Sequence, residues 1–470
     1  MEAQTVGIRF GTEGWRGVIS DDFTFANVRR VGQAVARYLQ QSEKGAGPVV
    51  IGYDTRFLSD RYAQELAGIL YKNGIAVALS DQPSITPALS LATARLQAKL
   101  GIMVTASHNP PEYNGIKIKA SYGGPVDQQV IAGIEECLPD KVPSLPAAYS
   151  QIPAANLKAI YLPTVQNQVD GQAISKAGLT VVVDTMHGAG VGYLDMLLEE
   201  YGVKVVRVRH EVNPGFGSTN PEPIGTNLGP LRAAVGRHKA ALGLATDGDG
   251  DRLGVVDHTG EYINAHQVFL LLLTHLVENR GQSGSVVRTF STSSVIDQAA
   301  QSYGLALRET PIGFRHITTV CRREPVLLGG EESGGYGFPQ HLLDRDGVLA
   351  GLMLVEYISQ MGRPLRSLLN NLIDRYGPSF YQRIDLPLAS RFMPIPEAPK
   401  QLGERMVTRI ETLDGLKLHL GANGWILFRV SGTEPVLRVY AEAKSEAVLR
   451  GILEDGIQWV HTLVHRLPER

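Results

Sequence analysis

The chain has few cysteines and little net charge. Its 470 residues include two cysteines, Cys137 and Cys321. Because they are far apart and lack the spacing of metal ligands, we interpret them as reduced structural thiols in a cytoplasmic protein. The formal net charge of −2 indicates no general affinity for nucleic acid or for an anionic membrane. An anionic substrate must therefore be held by locally placed cations.

Long apolar segments are also missing. The longest apolar run, Val268–Leu273, is far shorter than the ~20 residues that a membrane-spanning helix needs. The N-terminal segment lacks the basic and then apolar pattern of a signal peptide. We therefore expect a cytoplasmic protein with neither a membrane nor a nucleic acid as partner. At about 100–200 residues per domain, a chain of this length predicts three or four domains.

Three stretches of the chain share one plan and begin at Val49, Leu179 and Gly284. In each, an apolar run precedes a polar loop, a helical segment, a Tyr and a Gly, and then a second apolar run. Short apolar runs between helices are typical of parallel strands that are covered on both faces. The Gly suits the end of a helix, where a positive φ is needed. The repeat predicts three related α/β domains.

The last part of the chain has a different pattern. Residues 425–443 predict two strands around a turn, because apolar and polar residues alternate. Helices are predicted on both sides, near Gln401–Thr412 and Glu446–Leu463. We therefore expect three α/β/α domains with mixed, mostly parallel sheets and a smaller α+β C-terminal domain. The predicted boundaries are 1–155, 156–259, 260–375 and 376–470.

Three aspartates separated by glycines form the sharpest local motif. Asp247, Asp249 and Asp251 follow a strand-like apolar run. Carboxylates at this spacing repel one another unless a cation gathers them, and hard oxygen ligands favour Mg²⁺ or Ca²⁺. An EF-hand is excluded, because it needs Gly at Arg252 and Glu at His258. Two alternatives stay open here: a nucleophilic Asp247, as in haloacid-dehalogenase phosphatases, and a solvated acidic turn.

A second polar loop places Ser107 beside His108 in the segment VTASHNPPEYNGIKIK. A nucleophilic hydroxyl needs a base and a way to tolerate negative charge. Lys117 and His108 are candidate bases, and a cation in the aspartate loop can balance the charge. The segment lacks the Gly-x-Ser-x-Gly motif of α/β-hydrolases. By periodicity alone, an ordinary surface Ser and Lys would be the better interpretation, and the surrounding motifs reverse that preference.

Four motifs in chain order carry a family resemblance. TASHNP with NGIK, DGDGDR, GEESGG and RVSGTEP resemble the active-site loops of the α-D-phosphohexomutases. The resemblance implies three similar α/β domains and a smaller fourth one. It implies that Ser107 carries a transferable phosphoryl group and that the three aspartates hold Mg²⁺, which also touches the serine phosphate. It further implies that Arg16, Arg252 and Lys117 belong to the catalytic site.

The same resemblance assigns substrate contacts. Glu332 and Ser333 are expected to bind sugar O3 and O4, and Gly313 and Arg315 lie in a segment similar to the sugar-selecting loop. His341 is a candidate replacement for the histidine that many relatives have at Gly335. In isolation, these segments fit a glycine-rich turn and a tight hairpin. The predicted phosphate contacts are Arg288, Arg429, Ser431, Gly432, Thr433 and Arg438.

The expected reaction interconverts hexose 1-phosphate and hexose 6-phosphate, with glucose or mannose as the sugar and a hexose 1,6-bisphosphate as intermediate and activator. Glucosamine phosphate is less expected, because the loop is GEESGG rather than GEQSGH. Three rivals are a hexose 1,6-bisphosphate synthase, an aspartate-nucleophile phosphatase and a non-catalytic sugar phosphate sensor. A dinucleotide enzyme is disfavoured, because Tyr193 stands where the third glycine of Gly-x-Gly-x-x-Gly belongs.

Overall fold

The computed structural model describes residues 8–11, 14–42, 47–144, 151–388, 397–431 and 436–464. Four main sheets follow one another along the chain, with an additional two-stranded hairpin near the C-terminus. Among the described helices, none combines the length and the apolar character that crossing a bilayer requires. The predicted fold class, three α/β/α domains followed by a smaller C-terminal domain, is confirmed.

The first sheet has six strands in the order β1-β5-β4-β2-β3-β6. Its strands are β1 (Gly14–Val18), β2 (Val49–Tyr53), β3 (Val77–Ser80), β4 (Leu100–Val104), β5 (Tyr113–Ala120) and β6 (Ala154–Ala155). Strands β4, β2, β3 and β6 are parallel, whereas β5 and β1 continue the sheet in antiparallel pairs. The helices are α1 (Phe25–Gln41), α2 (Ser59–Lys72), α3 (Thr86–Arg95) and α4 (Gln128–Glu136).

The second sheet has five strands in the order β11-β10-β9-β7-β8. Its strands are β7 (Thr180–Asp184), β8 (Lys204–Val208), β9 (Leu242–Thr246), β10 (Leu253–Asp257) and β11 (Tyr262–Ile263). Since β11 pairs with β10, this sheet extends past the predicted boundary at residue 259. The helices are α5 (Leu157–Gln166), α6 (Gly171–Lys176), α7 (Leu194–Glu200) and α8 (Gly229–His238).

The third sheet has four strands in the order β13-β12-β14-β15. Its strands are β12 (Ser285–Thr289), β13 (Leu307–Thr310), β14 (Val326–Gly330) and β15 (Tyr336–Gly337). The helices are α9 (Ala265–Thr274), α10 (Val295–Ser302), α11 (Phe314–Cys321), α12 (Gly347–Met361) and α13 (Leu365–Tyr376). A π-helical turn, His275–Asn279, continues α9.

The predicted threefold repeat is present. The first and second apolar runs form parallel strand pairs in each case: β2 with β3, β7 with β8 and β12 with β13. The glycine before each second run, at Gly74, Gly202 and Gly304, has a φ of +75°, +76° and +67°. Glycine reaches this left-handed region without a steric penalty, so it ends the preceding helix.

The C-terminal sheet is antiparallel, in the order β16-β22-β21-β20-β19. Its strands are β16 (Phe380–Pro387), β19 (Arg409–Glu411), β20 (Leu416–His419), β21 (Trp425–Val430) and β22 (Val436–Ala443). A separate hairpin consists of β17 (Gln401–Leu402) and β18 (Arg405–Met406), and the chain ends with α14 (Glu446–Val464).

The helix predicted near Gln401–Thr412 is wrong. Leu402, Met406 and Ile410 have helical spacing, but Met406 and Ile410 are 61% and 48% exposed, so they do not form a buried helical face. Gly403 has a φ of +56° and turns the chain between β17 and β18. The two strands and the helix predicted after this segment are confirmed.

The three α/β domains share one large apolar core, which includes Leu89, Val181 and Leu271. The C-terminal domain has a core of its own. A smaller cluster of Phe290, Trp425, Leu427 and Tyr440 joins the third sheet to the C-terminal sheet. Because the first three domains are packed together, polar loops that follow their strands can meet at one place.

Candidate active site

Ser107 lies in the loop between β4 and β5, where the first domain faces the second. Its side chain is almost completely buried, with 1% exposure, and its φ is +55°. The backbone N–H of Ser107 donates to Thr105 Oγ1 at 2.8 Å, and Thr105 Oγ1 donates to Asp54 Oδ2 at 2.7 Å. These bonds hold a left-handed backbone conformation that is uncommon for residues other than glycine. The hydroxyl of Ser107 is thereby directed at the aspartate loop.

Arg56 holds the serine loop in place. Its guanidinium donates four hydrogen bonds of 2.7–3.0 Å to backbone carbonyls and is buried. The accepting carbonyl oxygens belong to Ser107, Asn109, Pro110 and Tyr113. Sequence reasoning missed this residue, although it follows β2 at the end of the motif VVIGYDTR. Polar residues at that position, where a parallel strand ends, are the signal that could have found it.

The three aspartates lie between β9 and β10 and are fully buried. Their ligand oxygens lie within 4.8 Å of one another. Asp247 Oδ2 accepts a hydrogen bond of 2.8 Å from Ser107 Oγ. Within the described part of the chain, Asp249 Oδ1 and Asp251 Oδ1 are buried without a hydrogen-bond partner. Buried carboxylate oxygens without partners suit a hard divalent cation, so the residues present fit Mg²⁺.

Positive side chains offset part of the charge of the aspartates. Lys117 Nζ donates to Asp249 Oδ2 at 2.6 Å and to Asp251 Oδ2 at 2.8 Å. Burial raises the pKa of Asp247 well above its ordinary value, and the other two carboxylates raise it further. Although burial raises the pKa of Asp251, Arg345 and Lys117 outweigh it and hold that pKa well below its ordinary value. Without a cation, Asp247 is therefore the member of the triad that most readily takes a proton.

Two glycines allow close packing around the aspartate loop. A Cβ on Gly248 would lie 2.4 Å from the carbonyl oxygen of Ser107. A Cβ on Gly188 would lie 2.8 Å from the carbonyl oxygen of Gly248. Real Cβ atoms do not approach backbone oxygens so closely, so Gly248 permits the contact between the serine loop and the aspartate loop, and Gly188 permits close packing of two loops of the second domain.

The other predicted catalytic residues surround this contact. Arg16 is exposed and donates to Asn109 Oδ1 at 2.7 Å. The backbone N–H of Arg252 donates to Asp247 Oδ1 at 3.1 Å. Burial lowers the pKa of His108 well below its ordinary value, and Arg252 and Arg16 lower it further. His108 is therefore neutral near pH 7, and the structure brings all five predicted catalytic residues to one place.

The predicted phosphate cradle lies in the C-terminal domain. Arg429 Nε is 3.0 Å from Asp414 Oδ2, and Arg438 Nε is 3.9 Å from Asp385 Oδ2. Ser431 is buried, and its N–H donates to the carbonyl of Val436 at 2.9 Å. The other two members predicted for the cradle, Gly432 and Thr433, lie outside the described residues.

Comparisons with known proteins agree along the chain. Profiles of the phosphoglucomutase/phosphomannomutase domains match in order: alpha/beta/alpha domain I over residues 7–142, domain II over 159–260, domain III over 264–376 and the C-terminal domain over 395–456. The chain belongs to the phosphoglucomutase/phosphomannomutase family. It is accordingly a mutase, an enzyme that transfers a phosphoryl group within its substrate. The family depends on Mg²⁺, and the acidic triad that this chain offers is described above.

Individual relatives cover nearly the whole chain. A phosphoglucomutase/phosphomannomutase from Thermococcus kodakarensis is 33% identical over 457 residues, 96% of this chain and 98% of that protein. A phosphoglucosamine mutase from Cereibacter sphaeroides is 31% identical over 454 residues, 95% of this chain and 97% of that protein. A crystal structure from Thermus thermophilus, assigned as a phosphomannomutase, superposes with a TM-score of 0.88 at 36% identity. That match covers 97% of this chain and 99% of the other.

In this member of the family, the predicted sugar loop lies between β14 and β15. Glu332 Oε2 accepts hydrogen bonds from Ser291 Oγ at 2.7 Å and from Thr289 Oγ1 at 3.4 Å, and Ser333 is partly exposed. Glu331 is buried and accepts a bond of 3.0 Å from Arg345 Nη1. Sequence reasoning missed Glu331, although the Glu of a GExSGH motif matches position 331 rather than 332.

Two predicted substrate residues have structural partners in this enzyme. The side chain of His341 is 1% exposed, and its Nε2 is 3.1 Å from Asp346 Oδ2. Arg288 is buried and bonded to Asp297 and Glu309. This placement does not support the expectation that His341 replaces a histidine at position 335. It also does not support the expectation that Arg288 contacts phosphate.

The other two predicted substrate residues begin α11. Gly313 precedes the helix with a φ of +123°, and Arg315 Nη1 donates to Gln128 Oε1 of the first domain. Arg315 therefore lies where the first and third domains meet, close to the start of a helix whose preceding loop is predicted to select the sugar.

Proposed function

We propose that this enzyme interconverts the 1-phosphate and 6-phosphate of glucose or mannose through phosphorylated Ser107 and a hexose 1,6-bisphosphate. The observation that carries the proposal is the 2.8 Å contact between Ser107 Oγ and Asp247 Oδ2, inside a buried triad that fits Mg²⁺. A nucleophilic hydroxyl, a cation site and a nearby amine are the parts that phosphoryl transfer requires.

In the first half-reaction, the bond between phosphorus and Ser107 Oγ breaks while sugar O6 of the 1-phosphate forms a new bond to phosphorus. Lys117 accepts the proton of the O6 hydroxyl. Lys117 enters this step as a neutral amine hydrogen-bonded to Asp249 and Asp251 and leaves it as an ammonium, while the Ser107 oxygen leaves phosphorus as an alkoxide. Arg252 neutralises charge on the transferring group. A Mg²⁺ held by Asp247, Asp249 and Asp251 would supply further charge neutralisation.

The second half-reaction uses the same residues. The bisphosphate turns end for end, so that its 6-phosphate enters the cradle of Arg429, Ser431, Gly432 and Thr433. The alkoxide of Ser107 then takes back the phosphoryl group from O1, and Lys117 returns its proton to sugar O1, which leaves phosphorus. One cradle and one nucleophile are enough, because the two phosphates exchange places. An enzyme that releases the bisphosphate early would instead act as a hexose 1,6-bisphosphate synthase.

The serine route is tested by Ser107→Ala. This variant should lose nearly all turnover and still bind glucose 1-phosphate, because the cradle and the sugar loop are unchanged. The matched control is Ser121→Ala, since Ser121 is exposed. The wild-type enzyme should carry an acid-stable, base-labile phosphoryl group on Ser107. Ordinary turnover of Ser107→Ala, or an acyl phosphate on Asp247, would refute the proposal.

The sugar is determined by a substrate panel at fixed Mg²⁺ and fixed bisphosphate. The panel contains the 1-phosphates of glucose, mannose and glucosamine, because relatives of similar identity act as phosphoglucomutase/phosphomannomutase or as phosphoglucosamine mutase by name. We expect the glucose and mannose substrates to be preferred. Analysis of released bisphosphate separates the mutase from the synthase.

A further inference from the structure

Arg345 occupies a position between the aspartate loop and the sugar loop. It is 3% exposed and comes from the segment that joins β15 to α12. Its Nη2 donates to Asp251 Oδ2 at 2.9 Å, and its Nη1 donates to Glu331 Oε2 at 3.0 Å. One guanidinium therefore bonds a carboxylate of the second domain and a carboxylate of the third. A planar, forked donor suits this task better than an ammonium group.

Gly335 makes room for the stem of Arg345. A Cβ on Gly335 would lie 2.2 Å from Arg345 Cδ and 3.0 Å from its Cγ. Any side chain at position 335 would therefore displace the arginine. The guanidinium also lies over the ring of Phe314, with 5.5 Å between Cζ and the ring centroid. Gly335 and Phe314 together fix the path of Arg345 from the backbone to the two carboxylates.

The residues on either side of Arg345 are anchored too. Asp344 accepts a hydrogen bond from Ser90 Oγ at 2.8 Å and pairs with Lys119 Nζ at 2.5 Å, both in the first domain. Asp346 caps α12 by accepting from the N–H of Leu349 at 2.9 Å. Arg345 thus projects from a backbone segment that is held on both sides, which limits how far its guanidinium can move.

We infer that Arg345 is a positioning residue that couples the cation site to the sugar loop. It bonds Oδ2 of Asp251 and leaves Oδ1, which has no hydrogen-bond partner among the described residues, for the cation. The same guanidinium fixes Glu331. This inference deepens the proposed function and rests on the triad as the cation site. Cation binding and sugar phosphate binding each order one end of the same bridge, so each should strengthen the other.

The test compares the Ser107→Ala variant with the double variant that also carries Arg345→Lys, in calorimetric titrations. Mg²⁺ is titrated with and without glucose 1-phosphate, in a Ser107→Ala background that cannot turn over. We expect glucose 1-phosphate to tighten Mg²⁺ binding at least ~5-fold with Arg345 present, within the usual range of coupling between sites. In Arg345→Lys the tightening should fall below ~2-fold, because Glu331 and Asp251 are bonded by two separate nitrogens of Arg345, which the single Nζ of a lysine does not reproduce.

Arg366→Lys is the matched control. Arg366, in α13, also donates from the third domain to a buried carboxylate of the second, Asp257. This variant should keep wild-type Mg²⁺ affinity and coupling. If Arg345→Lys does not fold, Gly335→Ala replaces it, because the added methyl group displaces the arginine stem without removing its charge. Gly335→Ala should lose the coupling as well.

A double-mutant cycle tests whether Gly335 acts through Arg345 or independently of it. Gly335→Ala should reduce the coupling between Mg²⁺ and glucose 1-phosphate when Arg345 is present. In an Arg345→Ala background it should have almost no further effect, because the Cγ and Cδ atoms that clash with the added methyl group are absent. If the coupling between Mg²⁺ and glucose 1-phosphate is unchanged in Arg345→Lys and Mg²⁺ still binds at the triad, the inference about Arg345 is wrong and the proposed function stands. If Asp249→Asn binds Mg²⁺ with the same affinity as the wild type, the triad is not the cation site. Both the proposed function and this inference then fail.

Discussion

Arg429 on β21 and Arg438 on β22 lie directly opposite each other in the C-terminal sheet. Like charges at opposite positions on neighbouring strands destabilise a sheet. Asp414 and Asp385 lie near them, at 3.0 and 3.9 Å from the Nε atoms. A phosphate dianion beside this pair would relieve the remaining repulsion. This is a physical reason to expect the cradle of the substrate phosphate here.

Arg429→Gln should weaken sugar phosphate binding by about 10- to 100-fold, which corresponds to the ~1.5–3 kcal/mol of a hydrogen bond to a charged group. Calorimetric titration with glucose 6-phosphate measures this loss. Arg409→Gln is the control, because Arg409 lies on β19 of the same sheet and its side chain is 62% exposed. Equal affinities of the two variants would exclude Arg429 from the cradle.

Gly248→Ala should separate the serine loop from the aspartate loop, since its Cβ would lie 2.4 Å from the carbonyl oxygen of Ser107. We expect turnover to fall at least ~10-fold, because a misplacement of about 1 Å between reacting groups can reduce rates ~100-fold. The control is Gly236→Ala at an exposed position of α8, where the added Cβ would have nothing within 4 Å. That change should stabilise the protein by up to ~1 kcal/mol and leave turnover unchanged.

Mg²⁺ should stabilise the enzyme through the aspartate triad. A free concentration of about 100 times the dissociation constant adds about 2.7 kcal/mol to the free energy of unfolding. Asp247→Asn should abolish that increment and leave the metal-free protein at least as stable, because burial and the neighbouring carboxylates already raise the pKa of Asp247. Thermal unfolding with and without a chelator measures both effects. A metal-free variant much less stable than the wild type would contradict the electrostatic argument.

Periodicity predicted the repeated domains, and the four motifs that carry the family resemblance indicated the loops of the candidate site, because both signals are encoded within short segments. The contacts of Arg56 and Arg345 could not be predicted in this way. Arg56 bonds carbonyl groups more than 50 residues away, and Arg345 bonds a carboxylate 94 residues away. The prediction of a helix near Gln401–Thr412 was wrong for a related reason. Helical spacing of apolar residues predicts a helix only where that apolar face packs against the core of the protein.

Arg56 is expected to matter for stability as well as for catalysis. Arg56→Met would leave four backbone carbonyls without their donor and the buried Asp54 without its cation. Removing one partner of a buried ion pair typically destabilises a protein by ~3–5 kcal/mol. Urea unfolding measures this loss, and Arg29→Met is the control, because Arg29 pairs with Glu65 at a partly exposed site. Equal destabilisation by both variants would show that the serine loop does not depend on Arg56.

His266 should make the junction of the third and C-terminal domains sensitive to acid. Burial lowers the pKa of His266 from 6.5 to about 4. Its Nδ1 accepts the N–H of Ser293, and its ring lies 4.2 Å from that of Tyr381. Because the folded pKa is depressed, the stability it contributes is complete above pH 6.5 and is lost as the pH falls towards 4. The loss is about 3 kcal/mol, at ~1.4 kcal/mol per pKa unit.

Urea unfolding between about pH 4 and 7 measures this effect as a difference between the wild type and His266→Gln. Carboxyl groups such as Glu442 titrate in both proteins, so the difference between their free energies of unfolding isolates the contribution of the histidine. As the pH falls, we expect the free energy of unfolding of the wild type to decrease more steeply than that of His266→Gln, by up to about 1.4 kcal/mol per pH unit for one proton. The control His238→Gln, on the exposed end of α8, should follow the wild type. Parallel curves for the wild type and His266→Gln would mean that His266 already takes its proton in the folded state, and that the junction tolerates the charge.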